Sequence, residues 1–448
     1  MLDIKFISEN PDIVKKDLRK RKDTEKLKWV DDLVKKYKEY GRLTYDIQNL
    51  RKRRNEASME VGRLKKEGKD ASKLLKEIKD IPRKIDDAEK KAEKLKEKTD
   101  WYLMRLPNIT DGTVPVGDGE EDNEVVKKWG TIPKFTFDAK DHIDLMRSLG
   151  LADTEKAAEV AGARFYYLKS GLVRLNYALI SFALDFIAER GYTLIQPPYM
   201  LKRAALSGAV DLSDFEDVIY KIEGEDLHMI GTSEHPMLAL HMGEIIEGGL
   251  PIRYAGISPC FRKEAGSHGR DTKGIFRVHQ FEKVEMFVFS RPEDSPKMHE
   301  ELRKNLEDFF RALKIPYRVV NVCTGDLGSV AAKKYDLEGW LPGQKKYREL
   351  GSCSNCTDYQ ARRSGIRFRE RTSDPTQHPH TLNSTLVATE RALIAIMENY
   401  QQKDGSIKIP DALIPYMGGK KFIGKPTGKP AGNALKKKTT GKTHRAKK

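Results

Sequence analysis

Residues 258–290 read SPCFRKEAGSHGRDTKGIFRVHQFEKVEMFVFS, and charged and aromatic side chains recur there at intervals that could do chemistry. Two β-like segments, 258–264 and 275–289, flank the polar, Gly-rich loop AGSHGRDTKG, the composition of a strand-loop-strand. Strand side chains alternate between faces, so Arg277, Phe281 and Glu285 share one face. Phe276, Val278, Val284, Met286 and Val288 share the other and belong to the core. Arg262 and Glu264 share a face of the first segment. Two guanidiniums, two carboxylates and an aromatic plane suit a flat, anionic ligand with an amine beside it, such as a nucleotide next to an amino acid. A hairpin with a solvated, charged outer face would carry the same alternation.

Three other stretches have residue types of the same kind. In HMIGTSEHPMLALHMGEII, Thr232 and Glu234 fall on one face if the segment is extended, and Ser233 near His235 is not read as a hydrolytic pair. In YRELGSCSNCTDYQARR, Glu349 and Ser352 are three residues apart, so both can face one way only across a bulge or bend. In HTLNSTLVATERALIAIMENY a strand runs into a helix, with Asn383 and Thr385 on one strand face and Arg391 early in the helix. Cys353 and Cys356 form a lone CxxC in a chain with four cysteines, which is neither a disulfide framework nor a metal motif; buried free thiols are expected.

The elements that must position these residues follow from the rest of the chain. A length of 448 residues allows two or three domains, and 38% hydrophobic residues supports a real core in at least one. One third of the residues are charged, which fits a long solvated helical element. From Leu27 to Leu64, apolar Leu33, Tyr37, Tyr40, Ile47, Ala57, Val61 and Leu64 follow a 4-3 spacing. After a turn at residues 68–70, Leu74, Ile78, Ile81, Ile85, Ala88, Ala92 and Leu95 continue it, with Thr99, Tyr102 and Leu106 in register. Two such helices predict an antiparallel coiled-coil hairpin, within which Pro82 should kink the second helix or delay its start. Residues 1–25 predict a short helix and a connection, with a helix start at Pro11. PNITDGTVPVGDGEEDNE has linker composition, and 172–190 followed by GYTLIQPPYM reads as helix then strand. The expected domains are 1–108 with the arm at about 27–106, a linker at 109–134, a globular domain at 135–418, and a tail at 419–448.

The net charge of +16 points to a polyanionic partner. Eleven of the Lys and Arg residues, with no Asp or Glu, lie at 419–448, leaving about +5 on the rest. That tail is expected to be disordered and to add non-specific RNA affinity. The N-terminus mixes acids and bases without an apolar run, so it does not read as a signal peptide. The apolar stretch 175–188 is too short for a membrane span and contains Asn176 and Asp185, so no membrane is expected and the location is read as cytoplasmic.

The pattern FRxE, a loop, then RVHQFxKVE resembles motif 2 of the class II aminoacyl-tRNA synthetases, and in detail that of the seryl-tRNA synthetase family. The stretch at 172–198 is similar to motif 1, which builds the dimer interface in that family, and 380–400 is similar to motif 3. TLNST and SNCTDYQARR look like the wording of archaeal members. Motif 3 departs from the Gly-rich form of many class II sequences, with Ser384, Leu386 and Glu390 in place.

The resemblance implies an α+β fold, an antiparallel sheet flanked by helices in a homodimer, with the arm gripping the long variable arm of tRNA(Ser). Service to tRNA(Sec) stays open. It implies ATP-dependent activation of L-serine to seryl-adenylate, then transfer to tRNA. For ATP the implied residues are Arg262, Glu264, Arg277, Val278, Phe281, Glu349, Ser352 and Arg391. Glu264 would accept from the adenine amino group, Phe281 and Arg391 would sandwich the ring, and Arg277 would meet the γ-phosphate. Glu349 and Ser352 would hold Mg2+. For serine they are Thr232, Glu234, Arg262, Glu285, Asn383 and Thr385. Arg51, Arg53, Arg54, Lys65 and Lys66 near the arm's tip would meet tRNA phosphates, though a charge run on an exposed coil is also what solvation alone produces. Two other readings compete: a paralogue that loads a carrier protein, against which the arm speaks, and an RNA-binding protein on a dead synthetase fold, against which the intact charged set speaks.

Overall fold

The computed structural model describes residues 1–211, 215–264 and 273–424. Most of the polar loop at 265–274 and the basic tail from residue 425 lie outside the described residues, as do the expectations for them; residues 419–424, expected to begin a disordered tail, are instead ordered, because Phe422–Ile423 pairs with Ile407–Lys408 and Ile423 is buried in the main core.

The N-terminal part is helical. Helices α1 (Ile4–Glu9) and α2 (Pro11–Lys20) precede α3 (Glu25–Lys66) and α4 (Ser72–Leu103). Pro11 opens α2 at the first helical position, where its missing N–H leaves no bond unmade. The 42 residues of α3 span about 60 Å at 1.5 Å each. Val30, Leu33, Ile47, Ala57 and Val61 of α3 are buried along a seam with Ile81, Ile85, Ala92, Thr99 and Tyr102 of α4. Gly68 turns the chain at φ +67°, a left-handed conformation that suits glycine after a helix end. Pro82 neither ends α4 nor delays its start, since α4 begins ten residues earlier. It sits on the exposed side of the seam, where water can reach the carbonyl that loses its donor.

The arm's root is fixed to the body. Leu2, Ile7, Val14, Leu18, Val30, Leu33, Tyr102, Leu103 and Leu106 form one cluster with Tyr359 from the globular part. The Tyr359 hydroxyl donates to the Leu106 carbonyl at 2.7 Å, and Arg21 donates to the carbonyls of Gly328 at 2.6 Å and Asn108 at 3.0 Å.

The globular part is α+β. Eight strands make one sheet: β1 (Glu124–Trp129), β2 (Thr193–Ile195), β3 (Ile252–Phe261), β4 (Gln280–Ser290), β5 (Tyr317–Asn321), β6 (Lys333–Leu341), β7 (Lys346–Asn355) and β8 (His380–Ala388). Their spatial order is β1-β5-β6-β7-β8-β4-β3-β2, antiparallel except for the β2–β3 pair. The stretch expected to be a linker at 109–134 is therefore partly sheet. Its EVVKKW segment is exposed along nearly all its length and joins the edge through its backbone, which is why side-chain pattern gave no sign of a strand.

One sheet face packs on the helices Gly171–Ala188 (α5), Ser295–Ala312 (α6) and Thr389–Asn399 (α7), burying Val284, Met286, Val288, Leu382, Leu386 and Leu393 in the main core. Helix α5 has the length and apolarity of a membrane span, and seven of its nine buried residues belong to that core. On β4, alternation sends Lys283, Glu285, Phe287 and Phe289 to the opposite face. Two bulges shape that face. The register shifts at Leu350 in β7 and at Leu386 in β8, and both leucines turn into the core.

Candidate active site

The cavity on the open face is lined by most of the residues singled out in sequence, drawn from three of the four stretches; Thr232, Glu234, Glu285 and Asn383 are not in its lining. Arg262, Glu264, Phe276, Arg277, Val278, Phe281, Lys283, Glu349, Leu350, Gly351, Ser352, Thr385, Ala388, Glu390 and Arg391 surround it. The strands are shorter than the sequence implies. Strand β3 ends at Phe261 and β4 starts at Gln280, so Arg262, Glu264, Arg277 and Val278 sit in the connection rather than on strands. Glu264 has φ +49°, and its carboxylate lies 3.8 Å from Arg277. Phe276, assigned to the core, also lines the cavity, with the guanidinium of Arg391 stacked 4.9 Å from its ring centre. Arg262 stacks 5.3 Å from the ring of Phe281.

The bulge at Leu350 brings Glu349 and Ser352 to one wall despite their spacing of three. Arg391, the third residue of α7, donates to the Glu349 carbonyl at 3.1 Å and pairs with its carboxylate at 3.1 Å. The closed surroundings work against charge on Glu349, but Arg391 and then Lys334 outweigh them and hold its carboxyl well below the usual range. Behind this wall Asp336 stands opposite Ser352, and burial pushes its carboxyl up. Asp336 Oδ1 is buried without a hydrogen-bond partner.

Glu285 lies deeper. Its Oε2 accepts from Thr385 Oγ1 at 3.2 Å and from Lys283 Nζ at 2.5 Å, and the side chains of the lysine and glutamate are 7% and 2% exposed. Asn383 shares the Thr385 strand face, and its amide donates to Glu234 Oε1 at 3.2 Å. Gln360, fully buried, donates to the same oxygen at 2.7 Å and accepts from Thr381 Oγ1 at 2.7 Å. Burial, and after it the nearby Glu285, push the Glu234 carboxyl up to about 7.

The segment carrying Thr232 and Glu234 is not extended. Glu234 opens a short helix, Glu234–Ala239, with Ser233 at its cap position. Thr232 and Glu234 still cooperate, because the Glu234 N–H donates to Thr232 Oγ1 at 3.2 Å. The Ser233 hydroxyl donates to the Gly256 carbonyl at 3.0 Å, and burial lowers His235 to about 3, so the two do not form a nucleophile and base. All four cysteines are free and buried; Cys356 Sγ accepts from Asn383 at 3.6 Å.

Three residues were not singled out for a site. Lys283 carried a signal, since it stands two residues from both Phe281 and Glu285. Gln360 had none. Glu390 was noted only as a departure. Its carboxylate accepts from the Glu282 N–H at 3.2 Å and from the Tyr166 hydroxyl, and burial pushes it up to about 7. It takes over the backbone contact that β8 abandons as it turns into α7.

The tip cations of the arm differ from one another. Arg51 is paired with Glu89 at 2.6 Å, and Arg53 is held at both ends by Glu77 at 2.7 and 2.8 Å. Lys65 and Lys66 are exposed, as is Arg54.

Two family descriptions match the chain: "Seryl-tRNA synthetase N-terminal domain" over residues 1–110 and "tRNA synthetase class II core domain (G, H, P, S and T)" over 218–400. A serine--tRNA ligase of Nitrosopumilus maritimus is 53% identical over 424 residues, covering 94% of this chain and all of that one. The crystal structure of seryl-tRNA synthetase from Pyrococcus horikoshii complexed with ATP aligns at TM-score 0.92 and 50% identity, over 95% of this chain and 100% of that one. That of the cytoplasmic serine-tRNA ligase of Naegleria fowleri in complex with AMP aligns at 0.85 and 37% identity, over 95% and 99%.

Proposed function

The chain belongs to the seryl-tRNA synthetase family, and we infer that it activates L-serine with ATP and passes the seryl group to the 3′ end of tRNA(Ser). The observation that carries this reading is the single cavity in which the Arg262, Glu349, Thr385 and Arg391 side chains converge beside Glu285. An oxygen of the serine carboxylate bonds to the α-phosphorus of ATP. The bond from that phosphorus to the bridging oxygen breaks, and pyrophosphate leaves with the electron pair. A carboxylate needs no base to attack, so positioning dominates.

Arg262 meets the charge that builds on the α-phosphoryl oxygens. Glu264 accepts from the adenine amino group, Phe281 and Arg391 enclose the ring beside Val278, and Arg277 reaches the γ-phosphate. Glu285 and Thr232 hold the serine ammonium. Asn383 and Thr385 read the serine hydroxyl, with Glu234 and Gln360 fixing the amide of Asn383. An alanine would leave those polar groups unpaired, which discriminates strongly.

The wall built by Glu349 and Ser352 fits a divalent ion. Mg2+ takes one or two carboxylates and fills its shell with phosphate oxygens and water, which the Glu349 carboxylate beside the Ser352 hydroxyl can provide for, with the unpartnered Asp336 Oδ1 behind Ser352. Glu349 and Ser352 would hold Mg2+, which when bound neutralises phosphate charge.

The arm, in a domain spanning 1–108, suits the long variable arm of tRNA(Ser), and the globular part from β1 onward is the catalytic domain. A homodimer is supported by the open edge of β2 and by exposed Tyr177 and Leu194 of the motif 1 stretch. We place the enzyme in the cytoplasm. Charging of tRNA(Ser) transcripts with full and shortened variable arms tests the reading. The full-length transcript should be charged at least about tenfold more efficiently, and equal charging would remove the arm from recognition.

A further inference from the structure

The cavity holds one cation more than the proposed function uses. Lys283 lines it beside Arg262, Glu349 and Thr385, and its ammonium sits 2.5 Å from Glu285 Oε2. That carboxylate is the group assigned above to the serine ammonium, so this inference rests on that assignment.

Lys283 occupies the role a substrate ammonium would play at Glu285. A carboxylate that is 2% exposed would otherwise be a buried, uncompensated charge. When serine arrives, its ammonium and that of Lys283 meet on one carboxylate, whose second oxygen leaves room for both but whose screened surroundings make their mutual repulsion strong. That repulsion favours moving the lysine, since the serine ammonium is fixed by its own carboxylate and hydroxyl contacts. The lysine has a flexible four-carbon stem. The charges it can turn toward lie on the same wall: the serine carboxylate and the α-phosphoryl group that Arg262 also faces.

We propose that Lys283 is a further catalytic residue of serine activation, whose ammonium holds Glu285 before serine binds and turns onto the forming bond between the serine carboxylate and the α-phosphorus once the substrate ammonium takes its place. No proton changes hands in this exchange. The new oxygen–phosphorus bond forms and the bond to pyrophosphate breaks as before, with Lys283 and Arg262 sharing the charge that develops. The arrangement also favours an α-amino acid, because a ligand without the ammonium leaves Lys283 on Glu285 and away from the phosphoryl group.

The test is serine-dependent ATP–pyrophosphate exchange by wild type, Lys283→Met and Lys283→Arg, with melting temperatures for each. Lys283→Met should lower kcat by about 100-fold, the loss typical of one preorganised donor, while the KM for serine rises less than about threefold because the internal competitor for Glu285 is gone. Lys283→Arg should regain at least about tenfold of that loss, since a cation remains. Exchange by Lys283→Met within about threefold of wild type overturns the proposal. So does a rise in KM at unchanged kcat, or a loss that tracks a lowered melting temperature and is not relieved by arginine. Absence of exchange in the wild type overturns both the proposal and the reading of the site it rests on, whereas exchange by wild type with an inert Lys283 overturns the proposal alone.

Discussion

The arm and the cavity both carry Arg, Lys and Glu, yet they use them in opposite ways. In the arm, Arg51 and Glu89 pair at 2.6 Å with side chains 57% and 44% exposed. In the cavity, Lys283 and Glu285 pair at a similar distance with side chains almost wholly buried. An exposed pair contributes about 0–1 kcal/mol and gives way readily to water or phosphate. Removing one partner of a buried pair leaves an uncompensated charge, at about 3–5 kcal/mol. Function in the arm is therefore spread over many replaceable charges and is sensitive to salt, whereas function in the cavity is concentrated in single residues and is not.

The largest expected effect is at Glu285. Glu285→Ala should lower serine-dependent exchange by about 1,000-fold or more, while ATP affinity measured by calorimetry stays within about threefold. Unaltered dependence on serine would take Glu285 out of the site and erase the contrast. Next is the arm as a whole. Glu39 and Lys91 lie 3.1 Å apart across the seam, so the arm can be cut there and closed with a short Gly turn. Exchange without tRNA should stay near wild type, while tRNA affinity should fall by about 100-fold. A shortened protein that still binds tRNA would place recognition in the body.

Single arm cations should matter far less. Lys65→Ala and Lys66→Ala should each weaken tRNA binding a few-fold and lower the salt slope by about one. Arg53→Ala should do less, because Glu77 already occupies its guanidinium.

The last effect concerns stability rather than activity, and it sharpens the account of burial. Glu390 is 1% exposed and its carboxyl is raised from 4.5 to about 7. A raised carboxyl contributes stability that is fully present below the unfolded value of 4.5 and is lost as pH rises through about 7. The loss is on the order of 3 kcal/mol. Glu390→Gln, which keeps an acceptor for the Glu282 N–H, should flatten the fall in melting temperature between those pH values. A variant that falls in parallel with wild type would show that the Glu390 carboxyl is not the group responsible.

Much of this contrast was legible in the sequence. The arm could be read because its 4-3 spacing survives exposure, whereas the site residues were read from the resemblance of their motifs, since a solvated hairpin face would carry the same alternation of charge. Even the bend between Glu349 and Ser352 followed from their spacing, and Leu350 turning into the core is its cause. What escaped was set by tertiary context. The linker's β1 joins the sheet through backbone bonds that leave no side-chain pattern. Thr232 and Glu234 sit on a turn into a helix, and the signals were Ser233 at the cap and Pro236 in the first turn. Lys283 passed unmarked because a lysine on a strand normally faces water, and only the neighbouring Glu285 and Thr385 show that this one does not.

The measurement that tests the central claim most directly is ATP–pyrophosphate exchange with each of the twenty amino acids, run without tRNA. The account predicts exchange with serine alone, because Asn383 and Thr385 demand a hydroxyl and Glu285 demands an ammonium. Exchange driven by glycine or alanine, or none at all, would contradict it.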